Sequence, residues 1–336
     1  MHKCYALESD ATCRHALPEE GGDRFQAERV LRPTFSQWQK DQPEEVAAGL
    51  APRQFRGPLI VVRKVPRAGE EHTSLAWWAP QDTVYSQSFL GLSAAWHPNP
   101  QGLARYLLVC LNSTILRHRL LMCAADWGIE RGTLLVEDLR SLPLPRWESV
   151  PEALRAAIDD CGVWMIANDR LDGDRCDRLV AELYGLSPAD IECARDTVAM
   201  ASPTSAKAAQ QVPGDAAVRA YCARVEEILG PLLAYAQRRL RVRAEAHVAT
   251  AAWQLLTLTT RHDDAPTPSR VLEEALLRAT HEGASWVIVP TGADTQTVVV
   301  GVFRQARYWT PTQARALVLH LLGDADVMAS LRGRGA

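Results

Sequence analysis

Two strips of cations are the residues in this chain whose types and spacing could do chemistry. Arg53, Arg56, Arg63, Lys64 and Arg67 crowd one apolar strand-like run, and Arg117, His118, Arg119 and Arg131 lie at and beyond the end of a helix-like run. A guanidinium fork suits phosphate oxygens and the guanine edge, so such strips offer DNA affinity through phosphates and sequence choice through base edges. Taken singly, each cation reads more simply as a solvated surface charge. Two smaller groups also carry ligand-type residues. His262, Asp263 and Asp264 have the chemistry of a divalent-metal site, but Ala265-Pro266-Thr267-Pro268 beside them reads as a solvated loop. His2-Lys3-Cys4 and Cys13-Arg14-His15 offer two thiols and two imidazoles that zinc would accept, at a spacing that matches no zinc motif.

Other chemistries are absent. The chain has no Gly-x-x-x-x-Gly-Lys-Ser/Thr loop to cradle phosphates and no Gly-x-Ser-x-Gly turn to present a nucleophile. With them go the phosphate-loop ATPase and serine-hydrolase readings. No cofactor is expected.

The bulk numbers set the frame. At 336 residues, of which 47% are hydrophobic, the chain can bury a substantial core and divide into two or three domains. A formal charge of -3 gives no global basic field, so a nucleic-acid surface has to be a local patch. The eight cysteines include no Cys-x-x-Cys pair and read as reduced core thiols of a cytoplasmic protein. Neither a leader peptide nor a membrane-spanning run is expected, because the first residues are charged and polar and no apolar stretch reaches about 18 to 20 residues.

The elements that must position these groups follow from periodicity. Pro58 to Val65 is a β-branched run between Gly57 and Pro66, and predicts a strand, with 74–78 and 83–90 as its neighbours in a small sheet. Leu103, Leu107, Cys110, Leu111 and Thr114 recur at three- and four-residue spacing and predict one helix over 101–122, entered through Pro98 and Pro100. Asn112-Ser113 lies inside it, where both side chains compete for backbone hydrogen bonds and favour a bend. Further helices are expected at about 151–168, 173–186 and 188–200, the last with Ser187 as N-cap and Pro188 in its first turn. Residues 201–214 are poor in bulky apolar groups and read as a linker. Beyond them a long helix is expected over 216–239, a strand-prone segment over 246–260, a helix over 269–281, strands at 286–290 and 297–303, and a helix over 312–322 behind Pro311. Trp77, Trp78, Trp96, Trp127 and Trp147 read as core rather than base-stacking residues.

The run from Ala104 to Pro145 resembles the target-recognition region of adenine-specific DNA methyltransferases and their fused restriction-modification relatives. It reads Ala-Arg-Tyr-Leu-Leu-Val-Cys-Leu-Asn-Ser, then a helix-like segment, then Glu137-Asp138-Leu139-Arg140-Ser141-Leu142-Pro143-Leu144-Pro145. Three more segments are similar to the same family, in the same order: Gly57 to Lys64 as the opening strand, Leu179 to Ser187 as the helix ending Leu-Tyr-Gly-Leu, and Arg307-Tyr308-Trp309-Thr310 as a closing motif. The resemblance implies that Leu111-Asn112-Ser113 is a turn or packing element. The family's catalytic half is missing. Asn99-Pro100 lacks the second proline and aromatic ring of the base-gripping turn, and no Gly-rich cofactor loop is present.

Taken together, an α+β architecture is expected: an N-terminal extension (1–54), a recognition-like domain with a small mixed sheet and a helical segment (55–200), the linker (201–214) and a second small α+β domain (215–336). What the resemblance implies is a non-catalytic DNA specificity subunit that reads double-stranded DNA through Arg53, Arg56, Arg63, Lys64, Arg67, Arg117, Arg119 and Arg131. It would dock on a separate methyltransferase chain in restriction-modification or phage defence, away from any membrane. The alternatives are a scaffold or regulatory component of a defence complex that no longer reads DNA, and a metal-dependent nuclease using His262, Asp263 and Asp264.

Overall fold

The computed structural model describes residues 14–16, 56–65, 75–81, 83–85, 89–124, 133–201, 206–234, 239–245, 252–260, 270–290 and 296–332. The fold is α+β, as the sequence leads one to expect. The chain forms two compact units, Met1–Ser205 and Ala206–Ala336, parting inside the stretch read as a linker.

In the first unit, β1 (Arg14–Ala16) pairs in parallel with β4 (Thr83–Tyr85). A separate antiparallel sheet has the order β3-β2-β5, with β2 (Leu59–Arg63) between β3 (Ala76–Ala79) and β5 (Phe89–Ser93). The apolar run Leu59 to Val62 is fully buried, which is why it lacks the polar alternation of a half-exposed strand. Helices α1 (Pro100–Leu111), α2 (Thr114–Cys123), α3 (Val136–Arg140), α4 (Glu152–Asn168), α5 (Gly173–Tyr184) and α6 (Pro188–Ala201) complete the unit.

Local chemistry sets their ends. Asn99 caps α1, its carboxamide oxygen accepting from the Gly102 amide at 3.0 Å, and Pro100 sits in the first turn where no donor is lost. The single helix expected over 101–122 is two helices, broken at Asn112-Ser113. Gly185 ends α5 at φ +65°, a conformation that Gly adopts without a Cβ penalty, and the Leu186 amide closes back on Ala181 at 2.8 Å. Ser187 and Asp190 cap α6 reciprocally: the Asp190 amide donates to Ser187 Oγ at 3.3 Å and the Ser187 amide to the Asp190 carboxylate at 2.8 Å. A Cβ on Gly162 of α4 would stand 2.8 Å from Arg105 Cβ of α1, so Gly162 permits close approach of the two helices. That approach aligns Arg105 with Asp159 in a two-point ion pair at 2.6 and 3.1 Å.

The second unit holds α7 (Ala206–Gln210), α8 (Asp215–Ala234), α9 (Arg270–Glu282), α10 (Pro311–Gly323) and α11 (Ala325–Arg332) around an antiparallel sheet of order β6-β7-β9-β8. Its strands are β6 (Arg241–Ala244), β7 (Trp253–Thr259), β8 (Trp286–Pro290) and β9 (Thr297–Phe303). Alternate residues Leu256, Leu258, Val298, Val300 and Val302 enter one core with Val225, Leu229 and Leu233 of α8, Leu317 and Leu321 of α10 and Leu331 of α11. The other face meets α9, whose Leu276 lies over Gly301. Residues 206–210, read as part of a linker, are helical. Within 246–260 the described strand is Trp253–Thr259, and β6 was not expected: a four-residue strand with one buried side chain, Val242, carries almost no pattern.

Candidate functional site

The Leu-Asn-Ser element is a fully bonded joint. The Asn112 carboxamide oxygen accepts from the amides of Leu75 and Ala76 at 2.8 and 3.2 Å, while its Nδ2 donates to the carbonyls of Ala76 and Leu108 at 2.9 and 3.0 Å. All four hydrogen-bonding positions of the side chain are used, at a residue that is 3% exposed. The joint thereby satisfies the outer edge of β3 and the last turn of α1 together. Ser113 then caps α2, its Oγ accepting from the Leu116 amide at 3.2 Å.

A buried carboxylate completes the start of α2. Asp177 of α5, 1% exposed, accepts from the Thr114 amide at 2.6 Å and from Nε of Arg195 of α6 at 2.8 Å. The same Arg195 reaches the Asp174 carboxylate at 2.7 Å. Arg117 lies in this polar cavity of about 420 Å³; burial pulls its pKa down and the Asp177 charge opposes that shift. Both side chains act here as parts of a three-helix junction.

The exit of the recognition-like run is tethered by two tyrosines. Tyr106 of α1 donates its hydroxyl to the Pro145 carbonyl at 2.9 Å, and Tyr184 of α5 donates to the Pro143 carbonyl at 3.1 Å. Burial pushes the Tyr184 hydroxyl up to about 12, so it stays a donor at neutral pH. The Leu-Pro-Leu-Pro exit is thus held by both the Ala-Arg-Tyr helix and the Leu-Tyr-Gly-Leu helix.

Between that exit, α1 and β5 runs a groove of about 720 Å³. Leu103, Leu107 and Leu111 of α1 line it together with Leu139, Leu142 and Leu144, and Gly91 and Leu92 of β5 contribute as well. Arg56, Arg140 and Trp96, all exposed, stand at its rim. Trp96 is 76% exposed, the exception to the reading of the tryptophans as core: Trp77, Trp78 and Trp147 are buried, and Trp127 lies outside the described residues. Trp96 donates Nε1 to the Ser93 carbonyl at 2.8 Å and packs edge-on against His97. His97 in turn pairs with Glu148 through Nε2 and lies 3.0 Å from the Asn99 carbonyl through Nδ1. Burial opposes the charge on His97, but the Asn99 carbonyl and the Glu148 carboxylate outweigh it and raise its pKa.

Among the described members of the two cation strips, Arg63 and Arg117 face other groups of the protein. Arg63 is 7% exposed and lays its guanidinium over the Trp77 ring, 5.1 Å from the centroid. Arg117 belongs to the Asp177 junction. Arg56 and Arg119 are exposed and Lys64 is half-buried. Arg53, Arg67 and Arg131 lie outside the described residues, as do His2, Lys3, Cys4, Cys13, His262, Asp263 and Asp264. Among the described residues no group of three His, Cys, Asp or Glu side chains could hold a metal ion, and no helix is long and apolar enough to cross a membrane. The described cysteines are free thiols, with Cys110, Cys161, Cys176 and Cys222 buried. Sequence reasoning missed the groove and the Asp177 junction. Compared with family models, curated proteins and solved structures, the chain finds no match.

Proposed function

We propose that this chain is the DNA target-recognition subunit of a split adenine methyltransferase in restriction-modification or phage defence, and that it works by docking on a separate catalytic chain. The observation that carries the reading is the bonding among the segments on which the family resemblance rests. Asn112 ties the Leu-Asn-Ser joint to the sheet built on the opening strand. Tyr106 and Tyr184 tie the Leu-Pro-Leu-Pro exit to the helices on either side of it in sequence. Residues that resemble a module act here as one scaffold.

In this reading the phosphate contacts among the described candidates fall to Arg56, Lys64 and Arg119, because Arg63 is buried against Trp77 and Arg117 lies in the Asp177 junction; Arg53, Arg67 and Arg131 stay candidates outside the described residues. Fluorescence anisotropy of a labelled duplex against salt tests it. Each phosphate contact contributes about 0.9 to the slope of log affinity on log salt, so Arg56→Ala, Lys64→Ala and Arg119→Ala each lower the slope by roughly that amount. A second reading, the scaffold of a defence complex that no longer reads DNA, is favoured by the burial of Arg63 against Trp77 and the place of Arg117 in the Asp177 junction. Salt-independent or absent duplex binding selects it.

A further inference from the structure

We propose that a cuprous ion binds between α4 and α5 of the first unit, held by the sulfurs of Cys161, Met165 and Cys176. The site goes beyond the DNA reading and does not depend on it.

Cys161 and Met165 stand at i and i+4 of α4, so their side chains share one face, and Cys176 meets them from the start of α5. All three are fully buried. The Met165 sulfur lies 3.8 Å from Cys161 Sγ and 3.6 Å from Cys176 Sγ, and the two thiols hydrogen-bond to each other, which closes the triangle. Three sulfurs bound at ~2.3 Å in a plane around one metal stand ~4.0 Å apart. The triangle therefore needs only a slight expansion to take the ion, and an unbranched thioether side chain supplies it.

The donor set identifies the metal. Thiolates with a thioether are soft ligands that select Cu(I), whereas zinc requires a fourth donor. Among the described residues no third thiol, imidazole or carboxylate joins the group, and Cys110, whose charge acts on Cys176, is hydrogen-bonded to the Tyr106 hydroxyl. Two thiolates around one Cu(I) carry one net negative charge. Arg175 and Arg178 offset it, since both favour the charged form of Cys161 against its burial and Asp172. Two thiol protons leave as the ion enters, so affinity rises with pH. Met165 and Cys176 lie within a turn of the connection at 169–172, and local opening at that end of the helix pair gives the ion its way in.

The test is anaerobic titration of the full chain with Cu(I) against a chromophoric Cu(I) chelator, followed by X-ray absorption at the copper edge and by the same titration with Zn(II). In the reference form Cys4, Cys13, Cys123 and Cys193 are replaced by Ser to remove competing thiols. The expected result is one equivalent of copper retained per chain, with a shell of three sulfurs at about 2.3 Å and no nitrogen or oxygen. Met165→Leu keeps the side-chain volume and so the packing, and reduces the shell to two sulfurs. The double variant Cys161→Ala, Cys176→Ala loses the bound equivalent. Failure of the reference form to retain copper, a nitrogen or oxygen shell, an unchanged shell in Met165→Leu, retention by the double variant or a preference for zinc overturns the proposal.

Discussion

Asn112 and Ala76 exchange a pair of hydrogen bonds: the Ala76 amide donates to Asn112 Oδ1 at 3.2 Å and Asn112 Nδ2 donates to the Ala76 carbonyl at 2.9 Å. A side chain at a helix end thus does for the outer edge of β3 what a further strand would do, and covers an edge that would otherwise present bare amides and carbonyls. Asn112→Asp keeps the shape but loses both donors, and sets a carboxylate against the carbonyls of Ala76 and Leu108. We expect a loss of about 3 kcal/mol, read as a lower urea midpoint with an unchanged slope. A loss below about 1 kcal/mol would show that the joint is not needed to hold α1 on the sheet.

Asp177 joins α2, α5 and α6 through the Thr114 amide and Arg195. Removing it with Asp177→Ala leaves a buried amide without an acceptor and the Arg195 and Arg117 charges without their shared counter-ion. Arg195 is partly solvated, which moderates the cost to about 2 to 3 kcal/mol. Calorimetry of the variant measures it, and the double variant Asp177→Ala, Arg195→Ala is expected to recover part of the loss because one stranded charge is gone.

The His97 and Glu148 pair makes stability depend on pH with a defined sign. The folded-state pKa of His97 is raised from 6.5, so its contribution is complete below that value and is lost as pH rises through the folded pKa. Glu148 is shifted down from 4.5, first by its own backbone hydrogen bond and then by His97, so its contribution is present above 4.5 and lost as pH falls through its folded value. The pair therefore helps most between 4.5 and 6.5. Arg146 also acts on Glu148 and persists across that range. The wild-type melting temperature should decline on the alkaline side of the window, and His97→Gln should remove that part of the decline; an unchanged profile in the variant would contradict the assignment.

Tyr221 of α8 packs tilted against Trp309, ring centroids 5.0 Å apart, and its hydroxyl is buried with no hydrogen-bond partner among the described residues. Burial raises its pKa well above the usual tyrosine range. An unsatisfied buried hydroxyl is a liability, so Tyr221→Phe should leave the melting temperature unchanged or raise it, by the equivalent of up to about 1 kcal/mol. A clear drop would reveal a partner for the hydroxyl.

The elements that carry strong local signals were legible in the sequence. Pro188 after Ser187, Gly185 after Tyr184 and the uninterrupted run at Leu59 each encode their structure within a few residues, and the boundaries of α4, α5 and α6 follow closely. Asn112-Ser113 was legible as a bend because both side chains compete with the helix backbone, although the break into two helices depends on β3, 36 residues away. The candidate site was less legible. Arg63 follows four apolar residues and gives no local sign that its guanidinium turns onto Trp77. Asp177 sits in Asp-Arg-Cys-Asp-Arg, which reads as solvated surface, and only the arrival of α2 and α6 makes it a junction. Leu103 and Leu107 have the spacing of core residues; that they line an open groove depends on how β5 and the Leu-Pro-Leu-Pro exit lie beside them.

The central claim is that this chain selects the sequence that a separate enzyme methylates. The most direct measurement is genome-wide mapping of methyladenine in the native host, in a strain deleted for this chain, and in the deletion strain complemented with the wild type or with the triple variant Arg56→Ala, Lys64→Ala, Arg119→Ala. The account predicts that one methylated motif disappears on deletion, returns with the wild type and stays absent or sparse with the triple variant, while a methyltransferase chain co-purifies with both forms. An unchanged set of methylated motifs in the deletion strain would contradict it.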